Sequence, residues 1–373
     1  MIARETRFVN SRFASLGIDF PFFVAPMVGL SHVGFRELVR YYTPEGLNPI
    51  LFTEMLSTRR LPSENLRTSN ELRVSQRDRG AFVPQILGNE EKFIAPSVQK
   101  LCQTGPWGID INMGCPVTHT LRHNWGFRLV GQPDYAAEIV QITKRYSTVP
   151  VSVKLRGDIG PRSASDEQAE LQEREALDRL ECFVQRLEQA GADWLTVHPR
   201  TGKQKHTGGA NWEAVRVVRN KVNIPVVVNG DIQSAEDGLE VVQRLGCDGA
   251  MFARVACARP WILWQTAAAL GNTNCPAEVL HRSAPPVVGD DEGREYIHAV
   301  LKLLEIMQSQ LFEESYILDK VRFFCATGSK WYQFGHHFWR MTTKARSVAE
   351  LHDLVADYGD RYVNPSVARV QFL

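Results

Sequence analysis

The chain has 373 residues, too many for one ordinary compact domain and enough for a large barrel or sandwich with an added module. Its 44% hydrophobic and 23% charged residues can bury a sizeable core, which excludes a largely disordered protein. A formal net charge of +1 excludes a global pull toward nucleic acid, so any such partner must be met by a local patch.

Two further classes fall away on pattern. No window approaches the roughly 18 apolar residues of a membrane span, and the Arg-rich start "MIARETRFVNSRF" has no apolar signal core. No membrane partner is expected, and the cytoplasm is the expected compartment. Seven cysteines, at 102, 115, 182, 247, 257, 275 and 325, lack CxxC or Cys/His ligand spacing, so neither a metal site nor a disulfide framework is expected. No obligate protein partner is evident.

From residue 22 to about 265, short β-branched apolar runs alternate with helical patterns, as in βαβ units. In chain order the strands are 22–27 (FFVAPM), 50–55 (ILFTEM), 81–87 (AFVPQIL), 107–113 (WGIDINM), 150–156 (PVSVKLR), 193–199 (DWLTVHP), 224–230 (IPVVVNG) and 249–255 (GAMFARV). Helices are expected over 90–103, 134–146, 166–190, 212–220 and 235–245. Eight such units predict an α/β fold, a (β/α)8 TIM barrel, rather than a doubly wound sheet. Residues 271–293, rich in Pro, Gly and Asn, then read as a linker. Helical patterns over 296–310, 316–327, 332–344 and 348–358 complete a smaller C-terminal helical domain. The division is thus 1–270, 271–293 and 294–373.

In such barrels the chemistry lies at the C-terminal strand ends. Here these ends carry Glu54, Gln85, Asn112, Cys115, Lys154 with Arg156, His198 with Arg200, Asn229 with Asp231, and Arg254. Alternation turns Ser152, Lys154 and Arg156 one way and Val151, Val153 and Leu155 the other. A lysine in a barrel mouth is costly unless an anion pairs with it, so an anionic ligand is implied. The seventh and eighth strand ends are where barrels hold phosphate, with Gly230 allowing close backbone approach and Arg254 supplying a fork of donors. Taken alone, "NGD" also reads as a tight corner with Ser234 as helix cap. No GxGxxG or Walker-type loop is present, which leaves a phosphate-bearing cofactor at the mouth.

The segments "APMVGLSHVGFRELV", "FTEM", "PQILGNE", "DINMGCPV", "VSVKLR", "VHPRTGKQKHTGGANW", "IPVVVNGDI" and "ARVACARPWI" resemble, in order and spacing, the flavin-dependent tRNA-dihydrouridine synthases. The resemblance implies an FMN enzyme that reduces the 5,6 double bond of uridine in RNA, most directly tRNA, with NADPH as transient reductant. It implies that Pro26, Met27 and Val28 lie against the flavin ring, and that Gln85 and Lys154 bond its polar edge. His198 would also hold the flavin, and Asn229, Gly230, Asp231, Ala253 and Arg254 its phosphate. Cys115 would be the catalytic proton donor, a role that a thiol of reference pKa about 8.5 fills without a partner base; His119 is the one base close by in sequence that would make it a nucleophile instead. Asn112, Arg156 and Arg200 would meet the substrate. Three places depart from the family pattern: "NWGFRLV" (124–130) retains only Gly126 of a Gly-rich segment, Ala253-Arg254-Val255 replaces Gly-Arg-Gly or Gly-Arg-Ala, and His206 replaces an aromatic.

Residues 320–346 hold six Lys/Arg, two His and no acid, interleaved with aromatics. Lys330, Arg340 and Lys344 are the expected phosphate contacts there. The rings Phe323, Phe324, Trp331, Tyr332, Phe334, Phe338 and Trp339, at helical spacing, suit a core. Arg59, Arg60, Arg67, Arg122, Arg128, Arg200, Lys203 and Lys205 would extend the basic surface around the mouth and guide a flipped-out uridine. The competing readings are a flavoenzyme acting on a small pyrimidine or enone, a relative acting on ribosomal RNA, and a non-catalytic RNA-binding relative.

Overall fold

The computed structural model describes residues 12–66, 68–157, 167–204 and 208–371. Its elements in order are β1 (Phe22–Val24), α1 (Val33–Tyr41), β2 (Leu51–Ser57), β3 (Phe82–Leu87), α2 (Glu91–Cys102), β4 (Ile109–Met113), α3 (Thr118–Arg122), α4 (Pro133–Tyr146), β5 (Val151–Arg156), α5 (Glu167–Gln189), β6 (Trp194–His198), α6 (Glu213–Lys221), β7 (Val226–Asn229), α7 (Ala235–Leu245), β8 (Gly249–Phe252), α8 (Val255–Ala258) and α9 (Ile262–Ala269). Then come α10 (Asp290–Ser309), α11 (Glu314–Gly328), α12 (Gly335–Thr342) and α13 (Val348–Arg361). All eight strands pair in parallel and in sequence order, and β8 returns to β1 to close a barrel. This is the (β/α)8 fold that the strand and helix periods predict.

The alternation decides what faces where. Ile109, Ile111, Val151, Val153, Leu195, Val197, Val226 and Val228 point outward into the core shared with the helices. Phe23, Phe52, Val83, Trp194, Val227 and Met251 point inward and fill the barrel. A short 3-10 turn, Arg12–Leu16, closes the N-terminal end: Arg12 donates to the carbonyls of Val222 and Ile224, and the Phe13 ring lies 5.6 Å from Phe23 and 6.4 Å from Trp194. With the bottom plugged, only the opposite end is free to be polar.

One strand breaks the regular ladder. Pro84 has no N–H to give to β2, and the β2–β3 register shifts between Phe52 and Met55. The Thr53 hydroxyl takes the next amide, Gln85 N, at 3.2 Å. A one-residue slip exchanges the faces of a strand. Met55, not Glu54, therefore turns into the barrel mouth, while buried Glu54 turns aside and accepts from Gly29 N at 2.6 Å.

Helices α10 to α13 share the hydrophobic core of the barrel's outer layer. Phe324 meets Phe35 of α1 at 6.1 Å, and the Tyr42 hydroxyl donates to Glu295 at 2.6 Å. Helix α10 starts at Asp290, inside the stretch expected as linker, because Asp290, Asp291 and Glu292 suit the positive end of a helix. The expected helix 332–344 is shorter, beginning only after Phe334, whose φ of 57° is left-handed.

Glu292 is the strongest tie between the two parts. Fully buried, it accepts from Arg259 Nε at 2.8 and 3.0 Å, from Gln265 at 2.8 Å and from Ser366 at 2.5 Å. Glu292→Ala leaves a buried guanidinium without its carboxylate and is expected to cost about 3–5 kcal/mol of unfolding free energy. Urea unfolding reads this directly, and a loss under about 1 kcal/mol would mean that Glu292 is not a structural tie.

Candidate active site

The C-terminal strand ends surround a cavity of about 690 Å³, within the range of small-molecule and cofactor sites. Pro26, Met27, Val28, Gln85, Lys154, His198, Asn229, Gly230, Asp231, Ala253 and Arg254 all line it, as do Cys115, Asn112, Arg156, Arg200 and Lys330. Strand register explains the convergence: Gln85 pairs with Asp110, Asn112 with Lys154, and Arg156 with His198. The lip is apolar, with Val28 57%, Val117 55% and Phe323 46% exposed.

A chain of hydrogen bonds fixes the Cys115 loop from below. Buried Asp110 accepts from Ser152 Oγ at 2.5 Å and from Gln85 Nε2 at 2.6 Å. The Gln85 amide is thereby oriented, and its Oε1 accepts from Asn112 Nδ2 at 2.8 Å. That in turn aims Asn112 Oδ1 at the backbone, where it accepts from Gly114 N at 3.1 Å and Cys115 N at 3.0 Å. Arg156 completes the hold, donating to the Gly114 carbonyl at 3.1 Å and the Thr201 carbonyl at 3.1 Å. Gly126 is needed where it stands: at φ 60°, a Cβ there would come within 2.7 Å of Thr120 and 2.8 Å of the Cys115 carbonyl.

Burial pushes the Asp110 carboxyl above the usual range, against the hydrogen bonds from Gln85 and Ser152 and the charge on Lys154. Burial likewise pulls Lys154 below the ordinary lysine range; Asp110 opposes this and Arg156 adds to it. Asp110→Ala removes the acceptor of both the Ser152 hydroxyl and the Gln85 amide, so nothing then orients Gln85 toward Asn112. The expected result is a loss of about 1–3 kcal/mol in urea unfolding with faster alkylation of Cys115 by iodoacetamide. Unchanged stability and alkylation would show that the chain of bonds does not hold the loop.

The Cys115 thiol accepts from the Thr120 hydroxyl at 3.5 Å. His119 is exposed and its ring faces His123, 4.8 Å away. Among the described residues no histidine hydrogen-bonds the thiol. This geometry suits an acid carrying its own proton better than a nucleophile awaiting a base.

At the β7–β8 side, Gly230 has φ 105°, and a Cβ there would meet the His198 ring at 2.7 Å. The positive φ and the histidine ring each call for glycine here. The Asn229 amide ties β7 to the Met251 carbonyl at 2.8 Å. The Asp231 carboxylate accepts from Arg200 at 2.5 Å and from Ala210 N at 2.7 Å. Ser234 caps α7, accepting from Asp237 N at 3.1 Å, so the corner reading of this stretch holds as well. Burial lowers Arg254, the charge of Arg200 lowers it further, and Asp231 opposes both.

These residues fit a phosphate-bearing flavin. Pro26, Met27, Met55, Met251 and Ala253 give an apolar wall, Gln85 and Lys154 a polar edge, and Gly230 with Arg254 an end. Two guanidinium groups there face the Asp231 carboxylate, which is already engaged, so an anion would offset the excess positive charge. Val255, the bulkier residue at the phosphate motif, is buried and belongs to the shared core as well as lining the cavity.

Arg200 and Arg156 line the cavity and are buried and hydrogen-bonded within the chain, so their guanidinium groups brace the mouth. Lys330, a residue of the basic tail, lines the mouth because the end of α11 packs across the β8–α8 corner. Arg340 and Lys344 are exposed on and just after α12 and do not line the cavity. Met55, Phe323, Thr327 and Gln233 also line the cavity, none of them an expected site residue; the register shift opposite Pro84 puts Met55 there in place of Glu54. Of the aromatics in 320–346, Phe324, Trp331, Tyr332 and Phe338 are core, whereas Phe334 is 76% exposed.

The wider basic rim is uneven. Arg59 pairs with Glu90 at 2.6 Å and Arg60 with Glu64 at 2.7 Å, whereas Arg122, Arg128 and Lys203 are exposed. Arg67, Lys205 and His206 lie outside the described residues.

A sequence model of the family described as dihydrouridine synthase matches residues 23–287. A protein of Synechocystis named probable tRNA-dihydrouridine synthase 1 is 33% identical over 239 residues, 64% of this chain and 62% of the relative. Proteins named probable tRNA-dihydrouridine synthase from Rhizobium leguminosarum and Rhodobacter capsulatus are 30% and 31% identical. Those two matches cover 64% and 69% of this chain, and 69% and 74% of the relatives. The chain thus spans a little under two thirds of the Synechocystis relative's length. No helix among the described residues is long and apolar enough to cross a membrane, and none of their His, Cys, Asp and Glu side chains cluster as a metal site. A barrel with this polar mouth, matched from its first strand to beyond its last, belongs to the dihydrouridine synthase family.

Proposed function

We propose that this protein reduces the 5,6 double bond of a uridine in RNA, tRNA foremost, to 5,6-dihydrouridine, with FMN held in the barrel mouth and NADPH as reductant. The barrel, 1–270, is the catalytic unit, and 294–373 the part that meets RNA beyond the target base. The observation that carries this reading is the placement of Cys115. Its thiol shares one cavity with the apolar wall, the Gln85–Lys154 edge and the Gly230–Arg254 end, in a loop fixed by Asn112.

A flavin held along Gln85 and Lys154 would, once reduced, supply hydride chemistry at C6 of the base. What remains for the chain is a proton at C5, which the Cys115 thiol delivers. The S–H bond breaks, the C5–H bond forms, and the sulfur keeps the electron pair until solvent reprotonates it. The Thr120 hydroxyl, already donating to this sulfur, stabilises the charge left on it. Lys154 adds positive charge near both the sulfur and the buried Asp110. The lip of Val28, Val117 and Phe323 packs against a base turned out of its stack and keeps water away. The names of the relatives favour tRNA over ribosomal RNA.

Mapping dihydrouridine in total RNA from cells with and without the gene tests this reading. At least one tRNA position should lose dihydrouridine. Purified protein with FMN and NADPH should act on a tRNA transcript and not on free uridine. Activity on free uridine alone would favour a small-molecule flavoenzyme, and a change confined to ribosomal RNA would move the substrate.

A further inference from the structure

A second cavity, about 580 Å³, lies beside the mouth and shares Lys330 with it. Its lining includes Phe334, His336, Trp339 and Tyr332, and no acidic side chain among the described residues. Phe334 is 76% exposed, an unusual position for a large ring. Its backbone is left-handed at φ 57°, a conformation a bulky residue adopts at a cost.

The turn bearing it is held on every side. Gln333 N donates to the Pro365 carbonyl at 2.9 Å, and Val367 N to the Trp331 carbonyl at 2.8 Å. The Tyr332 hydroxyl donates to the Ala258 carbonyl at 2.6 Å. Gly335 lies so close to Ser329 that a Cβ would sit on its carbonyl. Strain that surrounding bonds maintain, and that displays an apolar ring to water, calls for a ligand with a flat apolar face. The half-buried Trp339 supplies a second ring, with His336 edge-on to it at 5.6 Å. Lys330 stands where the two cavities meet, so a phosphate joining two ligand units would be neutralised there.

We infer that this groove is a stacking site for the unpaired nucleobase next to the target uridine, with Phe334 as platform, Trp339 beside it and Lys330 on the intervening phosphate. Stacking on an aromatic face is tolerant of base identity and suits single-stranded RNA. The inference rests on the proposed RNA substrate and adds a second recognised nucleotide to it.

The test uses the flavin-loaded protein, a fluorescein-labelled RNA hairpin with an unpaired uridine, and versions with an abasic residue on either side of it. Phe334→Ala should weaken hairpin binding about tenfold, the scale of one lost base stack. Phe334→Trp should restore binding, and flavin content and NADPH oxidation should match the unmodified protein in both. An abasic residue on one side should weaken binding by the unmodified protein and have no further effect on Phe334→Ala. Full-strength binding by Phe334→Ala, with the unmodified protein binding RNA, overturns the stacking site alone. A change of Phe334→Ala from dimer to monomer in light scattering, with RNA affinity unchanged, would make the groove an interface between copies and overturn it too. Failure of the unmodified protein to bind any RNA removes the proposed substrate and this site together.

Discussion

Cys115→Ala is expected to lower uridine reduction by about 10²-fold or more, while flavin content and the rate of NADPH oxidation stay close to those of the unmodified protein. The split follows from the geometry. Among the described residues the thiol makes one hydrogen bond, from Thr120, and the loop that carries it is fixed through the backbone by Asn112 and Arg156, so removing Sγ leaves the loop in place. Transient oxidation of NADPH in the absence of RNA and steady turnover on a tRNA transcript measure the two halves. If flavin is lost along with turnover, Cys115 is a structural residue of the mouth. If turnover survives, another group supplies the proton.

Lys154→Met should weaken FMN binding roughly 10- to 100-fold, the scale of about 1.5–3 kcal/mol for a hydrogen bond to a charged group. Its ammonium opens into the cavity, and burial already disfavours its charge. An electron-rich ligand edge is what would keep the proton on it. The same shift gives a pH dependence. A lysine whose pKa lies below its ordinary range loses its charge earlier as pH rises, so flavin affinity should fall at mildly alkaline pH. Lys154→Arg, which stays charged, should move that fall upward. Equilibrium dialysis of FMN against the protein across pH 6 to about 10 checks both statements. An affinity that is flat over this window, or unchanged in Lys154→Met, would remove Lys154 from the cofactor site.

Much of the fold is legible in the sequence because its period is local. An apolar run such as "VVVN" reports a strand buried on both faces, and the alternation in "VSVKLR" sorts Lys154 from Val153 with no knowledge of the neighbours. Eight such units leave few closed arrangements, and the C-terminal strand ends then gather Gln85, Asn112, Lys154, His198, Asn229 and Arg254 in one place. The helix starts at Asp290, inside the Pro- and Gly-rich stretch, because three acids stabilise its first turn there.

Other features depend on contacts between residues far apart in the chain. Whether Glu54 or Met55 faces the mouth turns on Pro84, more than two dozen residues further along, which breaks the ladder and shifts the register. Whether Arg200 can reach a substrate depends on Asp231 and the Gly208 carbonyl claiming its guanidinium. A basic tail can be read from its composition. That Lys320 ends beside Glu54, that Lys330 reaches the mouth while Arg340 and Lys344 do not, and that Phe334 stands in water while Phe338 is buried, are set by how α11 and α12 pack on the barrel. Sequence period fixes the direction of a side chain within its own element. Only the packing of one element on another decides what that side chain meets.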